Sequence, residues 1–285
     1  MTDKNKKIAV IYHRDCEDGF SAAWVAWKKF GNKADYFPMF YQSGWPKGLK
    51  KKEIYMVDFS YLPEELKEIK KNNEKVIVID HHKTAEESFK KADGGLFDLK
   101  HSGATLAWKY FFPNKKVPLL LEYVEDGDLW LFKKKNPKEM MAYISTLSFD
   151  FRVFDKAAKD FESSEKRKIF LEKGKSILKH DQKMIEEIFE SGAEEVIFEG
   201  KKIFAVNSPV LVSELGHFLR KKKPPMAIIW HKKNDGRIKV SLRSDGKVDV
   251  GEIAQKMAKG GGGHKAAAGF VLEKGTSLPW KSINS

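Results

Sequence analysis

Acidic and imidazole side chains gather in three short stretches of this 285-residue sequence: His13, Asp15 and Asp18; then Asp58; then Asp80, His81 and His82. Each stretch follows directly on an apolar run, at Ile8–Tyr12, Ile54–Val57 and Val76–Ile79. Continuous apolar runs of this kind read as strands of a parallel sheet covered on both faces. The carboxyl ends of neighbouring parallel strands open onto one crevice. Carboxylates gathered there repel one another, and a divalent cation relieves the repulsion. Mixed oxygen and imidazole ligands suit Mn²⁺, Fe²⁺ or Zn²⁺ better than Ca²⁺. Such a cation polarises a phosphoryl oxygen and acidifies water, which is the chemistry of phosphoester hydrolysis. A single strand-end Asp is as readily a turn former or a helix cap. It is the recurrence on three successive strands that points to a site.

The elements that must position these groups alternate strand and helix. Helices are expected over about Phe20–Phe30 and from Pro63, which suits a first helical turn, to about Asn72. Ser102 reads as the N-cap of a further helix and, with Gly103, as a candidate anion-binding helix start. A helix over Pro118–Val124 is followed by the acidic loop Glu125–Asp128. From about Asp155 to Ser191, apolar residues such as Phe161, Phe170, Ile177, Ile185 and Phe189 recur at helical spacing. They predict a long amphipathic connector, broken near Gly174. Beyond it, strands are expected near Ile203–Val206, Ala227–Trp230 and Ile238–Leu242. The fold class is therefore α/β with two domains: a parallel-sheet domain over 1–154, a helical connector over 155–193 and a smaller α/β domain over 194–285.

Gly260–Gly263, followed by His264, supplies a second kind of chemistry. Consecutive glycines let the backbone approach a ligand and present N–H groups to an anion. Arg243 is suited to add a forked contact. Gly261, Gly262, Gly263, His264, Arg243 and Ser102 are thus candidate phosphate-binding residues. A formal net charge of +13 favours polyanionic partners such as nucleic acid or nucleotides. A Lys-rich solvated surface accounts for the same excess equally well. The single cysteine, Cys16, excludes an intramolecular disulfide and fits a cytoplasmic setting. The N-terminal residues lack signal-peptide character. No stretch approaches the ~20 apolar residues of a membrane span, so no membrane partner is expected.

The run Val76–His82 resembles the signature that names the DHH phosphoesterases. His13–Gly19, HRDCEDG, resembles the first motif of that superfamily, Asp58 in MVDFS the second, and Glu125–Trp130, EDGDLW, the fourth. The glycine run with His264 and the following KAAAGF resembles the motif of the associated DHHA1 domain, with Val240–Arg243 in the place of its basic strand. The resemblance covers nearly the whole chain, in the expected order. It implies a parallel-sheet DHH domain, a DHHA1 substrate-binding domain and a metal-dependent phosphoesterase. The superfamily includes RecJ-type exonucleases, nanoRNases, nucleotide phosphatases and exopolyphosphatases. The resemblance further implies one or two Mn²⁺ ions, with Mg²⁺ or another divalent metal as substitutes. His13 and Asp18 would ligate one ion, Asp58 would bridge two, and His81 would be a ligand. Asp126 or Asp128 would complete the set, with Asp126 preferred. Asp80 would orient the imidazoles or bind metal weakly, and His82 would face the scissile phosphate.

The sequence departs from the family in one respect. The first motif usually holds two aspartates two residues apart, and here Cys16 or Phe20 stands at one of those positions. Asp15 or Cys16 then replaces the missing carboxylate, or one metal site is weak. The leading expectation is hydrolysis of short oligonucleotides. The alternatives are a phosphatase of small nucleotides or polyphosphate, and a catalytically impaired nucleotide-binding or nucleic-acid-binding protein. A homodimer is compatible with the sequence.

Overall fold

The apolar runs that flank the acidic residues form the middle of a five-stranded sheet. Its strands are β1 (Ile8–His13), β2 (Ala34–Met39), β3 (Glu53–Val57), β4 (Lys75–Asp80) and β5 (Gly94–Phe97), in the order β2-β1-β3-β4-β5. Every neighbouring pair is parallel. Val10, Ile11, Ile54, Met56, Val76, Val78 and Ile79 are wholly buried. Burial on both faces is why these strands read as continuous apolar runs. β2 and β5 carry no such run: β2 is only half-buried along most of its length and contains Pro38, and β5 begins with two glycines. The computed structural model describes residues 6–14, 16–40 and 44–283; Asp15 lies outside the described residues.

On one face, α1 (Glu17–Phe30), α4 (Gly103–Phe111) and α5 (Leu119–Asp128) bury Trp24, Leu106, Trp108 and Val124 against the sheet. On the other, α2 (Pro63–Lys71) contributes Leu66 and Ile69 beside Ile54, Met56 and Val78, with α3 (Glu86–Lys91) at its side. α6 (Pro137–Ile144) and α7 (Phe151–Phe161) extend the first layer through Met140, Phe154 and Phe161. Strand order reverses between β1 and β3, which opens a crevice at their carboxyl ends.

Three helix boundaries differ from expectation, each because a glycine that resembles a breaker is instead a close-packing position. α1 begins at Glu17, so Asp18 and Gly19 lie in its first turn. α5 runs on through Gly127 to Asp128, and the acidic stretch is its last turn; a Cβ on Gly127 would sit 2.8 Å from Met141. α8 (Ser164–Gly192) is continuous through Gly174, where a Cβ would meet the Glu139 carbonyl of α6 at 1.9 Å. The connector breaks at Glu162–Ser163 instead.

The chain divides into two compact units, residues 1–178 and 179–285. The second is built on a seven-stranded mixed sheet. Its strands are β6 (Ala193–Phe198), β7 (Lys201–Asn207), β8 (Met226–Lys232), β9 (Ile238–Ser244), β10 (Gly262–His264), β11 (Ala267–Leu272) and β12 (Lys281–Ser282), ordered β10-β11-β9-β8-β7-β6-β12. Only β7 and β8 pair in parallel. α9 (Val212–Lys222) packs Leu215 and Leu219 on one face, together with Ile185 of α8. α10 (Val250–Met257) packs Ile253 and Ala254 on the other. The architecture is two-domain α/β, with a parallel sheet in the first unit and a mixed sheet in the smaller second one, joined by helices. Among the described residues no helix is long and apolar enough to cross a membrane.

Candidate metal centre

Asp58 leaves the end of β3 in the left-handed region, with φ of 52°. Its amide donates to the Ile79 carbonyl at 2.9 Å, so pairing with β4 fixes the turn. Such a conformation costs a non-glycine residue about 1–3 kcal/mol, and Asp tolerates it better than most. The result is a carboxylate, 1% exposed, set between the histidines of β1 and β4. Asp58 Oδ2 lies 3.8 Å from His13 Nδ1. Asp58 Oδ1 lies 3.3 Å from His81 Nε2 and 3.8 Å from His82 Nδ1. His81 Nε2 is also 3.6 Å from Asp128 Oδ2 and 3.9 Å from Asp18 Oδ2. Ligand atoms around an ion at ~2.1 Å stand about 3–3.5 Å apart, so these spacings are those of a slightly relaxed coordination shell.

Three ligand sets arise among the described residues: His13, Cys16 and Asp58; Asp58, His81 and His82; Asp18, His81 and Asp128. In each, the ligand atoms lie within 4.8 Å of one another. Asp58 Oδ1 and His81 Nε2 are buried without a hydrogen-bond partner, although they face each other at 3.3 Å. Buried polar atoms left in this way are costly, and a cation between them satisfies both. The residues present therefore fit a divalent metal.

The electrostatics agree. Burial and the neighbouring Asp58 charge push the Asp18 carboxyl well above the usual carboxylate range. The same two causes push Asp128 up to about 6. Burial works on Asp58 as well, but His13 and His81 outweigh it and hold this carboxylate below its ordinary value. Burial, then the charges of Asp58, Asp18 and Asp128, raise the Cys16 thiol. For His82, burial favours the neutral ring, yet Asp80 beside it prevails and raises it to about 9. Three carboxylates this close cannot all ionise without a counter-charge.

Asp80 is wholly buried and organises rather than adjoins the sets. Its Oδ1 accepts the His81 amide at 2.7 Å and the His82 amide at 3.0 Å, and meets His82 Nδ1 at 2.7 Å. A carboxylate only accepts, so Nδ1 carries the proton. Asp18 is oriented from α4: its oxygens accept the Gly103 amide at 2.7 Å and the Ala104 amide at 3.0 Å. Ser102 Oγ caps the same helix by accepting the Thr105 amide, and the Ser102 amide donates to Glu125 at 3.0 Å. The amides of residues 102 to 105 are thus all taken. The helix start that Ser102 caps therefore holds the Asp18 carboxylate.

Asp126 and Asp128 separate sharply. Asp126 is buried, and its two oxygens accept the Lys133 amide at 2.8 Å and the Lys134 amide at 3.0 Å. It belongs to none of the three ligand sets, whereas Asp128, the alternative, does. Residues two apart on a helix point to different sides, so one faces the crevice and the other the following loop. Two further residues carried no signal of their own. Gly103 lies against Asp58, where a Cβ would stand 2.5 Å from the Asp58 Cβ, and Gly19 lies against His13, where a Cβ would stand 2.3 Å from its carbonyl. The Ser-Gly pair at 102–103 was the available clue to the first of these.

In the second unit, the glycine run is not an open loop. Gly262–His264 pairs with β11, and the Gly261 amide donates to Ala258. Gly263, with φ of 144°, would bring a Cβ within 2.5 Å of the Ala267 carbonyl; Gly261 would bring one within 2.0 Å of Ala254. Gly262 has room around it. Ala267 pairs with His264 on one side and Arg243 on the other, so both point to one face, about 10 Å apart in backbone. Arg243 donates to Ser213 Oγ at 3.0 Å and lies along Gly216 of α9.

Residues 200–280 match the model of the DHHA1 domain. Arg243, the glycine strand and His264 all fall inside the matched stretch. Over 308 residues the chain is 29% identical to an uncharacterized protein of Acanthamoeba polyphaga mimivirus, covering 99% of this chain and 72% of that one. Its fold is similar to RecJ from Thermus thermophilus in complex with Mn²⁺, with a TM-score of 0.54, 16% identity, and coverage of 94% of this chain and 50% of that. A second structure, exonuclease RecJ bound to manganese, aligns with a TM-score of 0.50 and 16% identity, covering 94% and 86%. These are likenesses of fold. The His/Asp sets, for their part, make a site able to hold a divalent metal.

Proposed function

We propose that the chain hydrolyses phosphodiester bonds of short oligonucleotides with Mn²⁺. The observation that carries the reading is Asp58, which turns one oxygen to His13 and the other to His81 at the switch point of the parallel sheet. His13, Asp18, Asp58, His81 and Asp128 hold the cation. When bound, the divalent cation supplies Lewis acidity toward the phosphoryl oxygen and the attacking water. Asp80 fixes His82 through Nδ1, so Nε2 is the nitrogen that meets the phosphate and carries a proton to an oxygen of the breaking ester. Asp18, held by two amides of α4, keeps its side of the crevice rigid. Arg243 and Gly261–His264 take a phosphate of the substrate. Residues 1–154 form the hydrolase domain, 155–193 the connector and 194–285 the substrate-binding domain.

The fold likeness to RecJ and the +13 charge support a nucleic-acid substrate. The direct test incubates the full chain with di- to pentanucleotides and Mn²⁺, alongside polyphosphate and a small nucleoside bisphosphate. Oligonucleotide cleavage by wild type, lost in Asp58→Ala, is the expected result. Preferential turnover of polyphosphate or the bisphosphate would move the reading to a phosphatase. Equal cleavage by Asp58→Ala would remove the metal centre from the reaction.

A further inference from the structure

We propose that Cys16 is a metal ligand, which makes the His13–Cys16–Asp58 set a soft site beside the oxygen-rich set of Asp18, His81 and Asp128. The inference rests on the metal-dependent reading above and concerns what kind of ion each set holds. Cys16 is the N-cap of α1, in extended conformation, and its side chain makes no capping hydrogen bond. Its carbonyl accepts the Phe20 amide at 2.9 Å, which anchors the residue through its backbone, and the Gly19 backbone amide faces the sulfur, an interaction that favours the thiolate. Sγ, a ring nitrogen of His13 and an oxygen of Asp58 lie within 4.8 Å of one another. Asp58 is 1% exposed and keeps one oxygen without a hydrogen-bond partner. Gly19 lets α1 start close against β1, since a Cβ there would stand 2.3 Å from the His13 carbonyl, and this brings Cys16 and His13 to the same end of the crevice.

A thiolate, an imidazole and one carboxylate form a donor set that Zn²⁺ or Co²⁺ takes in preference to Mn²⁺ or Mg²⁺. Two carboxylates and an imidazole on the other side suit Mn²⁺. Binding exchanges the S–H bond for a sulfur–metal bond and releases one proton to solvent.

Cobalt reads this directly, because the chain has one cysteine and any sulfur-to-cobalt charge-transfer band must come from it. Full-length protein stripped with chelator is titrated with Co²⁺ and followed in the near ultraviolet, with bound metal counted by elemental analysis. Wild type develops the band, and Cys16→Ser lacks it and takes up one equivalent fewer. Cys16→Asp regains that equivalent without the band. Cobalt bound by wild type without the band overturns the proposal and leaves the hydrolase reading intact. Equal uptake by wild type and Cys16→Ser likewise overturns it. No cobalt bound at all overturns both.

Discussion

Asp126 and Asp128 stand two positions apart in the last turn of α5, about 200° around the helix axis from each other. Asp126 closes the loop after the helix by accepting two amides, and Asp128 joins His81 and Asp18. Truncating each separates stability from metal binding. Asp126→Ala leaves the Lys133 and Lys134 amides without an acceptor and is expected to cost about 1–3 kcal/mol in urea unfolding. Asp128→Ala removes a charge that burial and Asp58 already oppose. It is expected not to lower the stability of the metal-free protein, while Mn²⁺ affinity falls in calorimetric titration. The opposite pattern would assign the ligand role to Asp126. Gly103 is the third residue to probe. Gly103→Ala drives a methyl into Asp58, so about 1–3 kcal/mol of stability and the tight Mn²⁺ site should be lost together.

At the scale of elements, α4 connects the sheet to the metal centre through its first turn, where consecutive amides grip Asp18. α7 is tied to α1 by a surface pair: Asp155 meets Lys28 at 2.6 Å and Lys159 at 2.7 Å. Burial raises the Asp155 carboxyl, but Lys159 and Lys28 together outweigh it and hold it below its ordinary value. A carboxylate depressed in the folded state stabilises above its unfolded pKa of about 4, and that contribution disappears as pH falls through the folded value. Asp155→Asn should therefore unfold at lower urea than wild type at pH 7, with the two curves converging as pH falls below the ordinary carboxylate range. A gap that persists in acid would trace the effect to packing.

Across the whole molecule, the metal centre is a store of repulsion that a cation relieves. Asp18 and Asp128 are both pushed toward protonation, and Asp58 keeps its charge only through the histidines. Mn²⁺ that binds the folded chain alone stabilises it by about 2.7 kcal/mol at one hundred times Kd. Thermal unfolding with and without chelator should differ by several degrees. The difference should vanish in Asp58→Ala, whose loss also removes the shared ligand. An unchanged melting temperature in wild type would mean that the folded chain does not hold the ion.

Much of this organisation is legible in the sequence because it rests on local pattern. Buried parallel strands must be apolar throughout, so β1, β3 and β4 announce themselves, and residues just past their ends must share a crevice. The Ser102 cap and the glycine run with His264 are equally local. What the tertiary structure decided was everything that depends on contact between distant segments. Gly19, Gly103, Gly127 and Gly174 look alike as letters, yet each is a glycine because a different element presses against it. That Asp128, and not Asp126, falls among the candidate ligand sets follows from α5 continuing one more turn than its glycine suggests. The fate of the α4 amides follows from Asp18 arriving from another helix. Spacing along the chain fixes which residues share an element, but the direction of a carboxylate is set by its neighbours in space, and only packing supplies those.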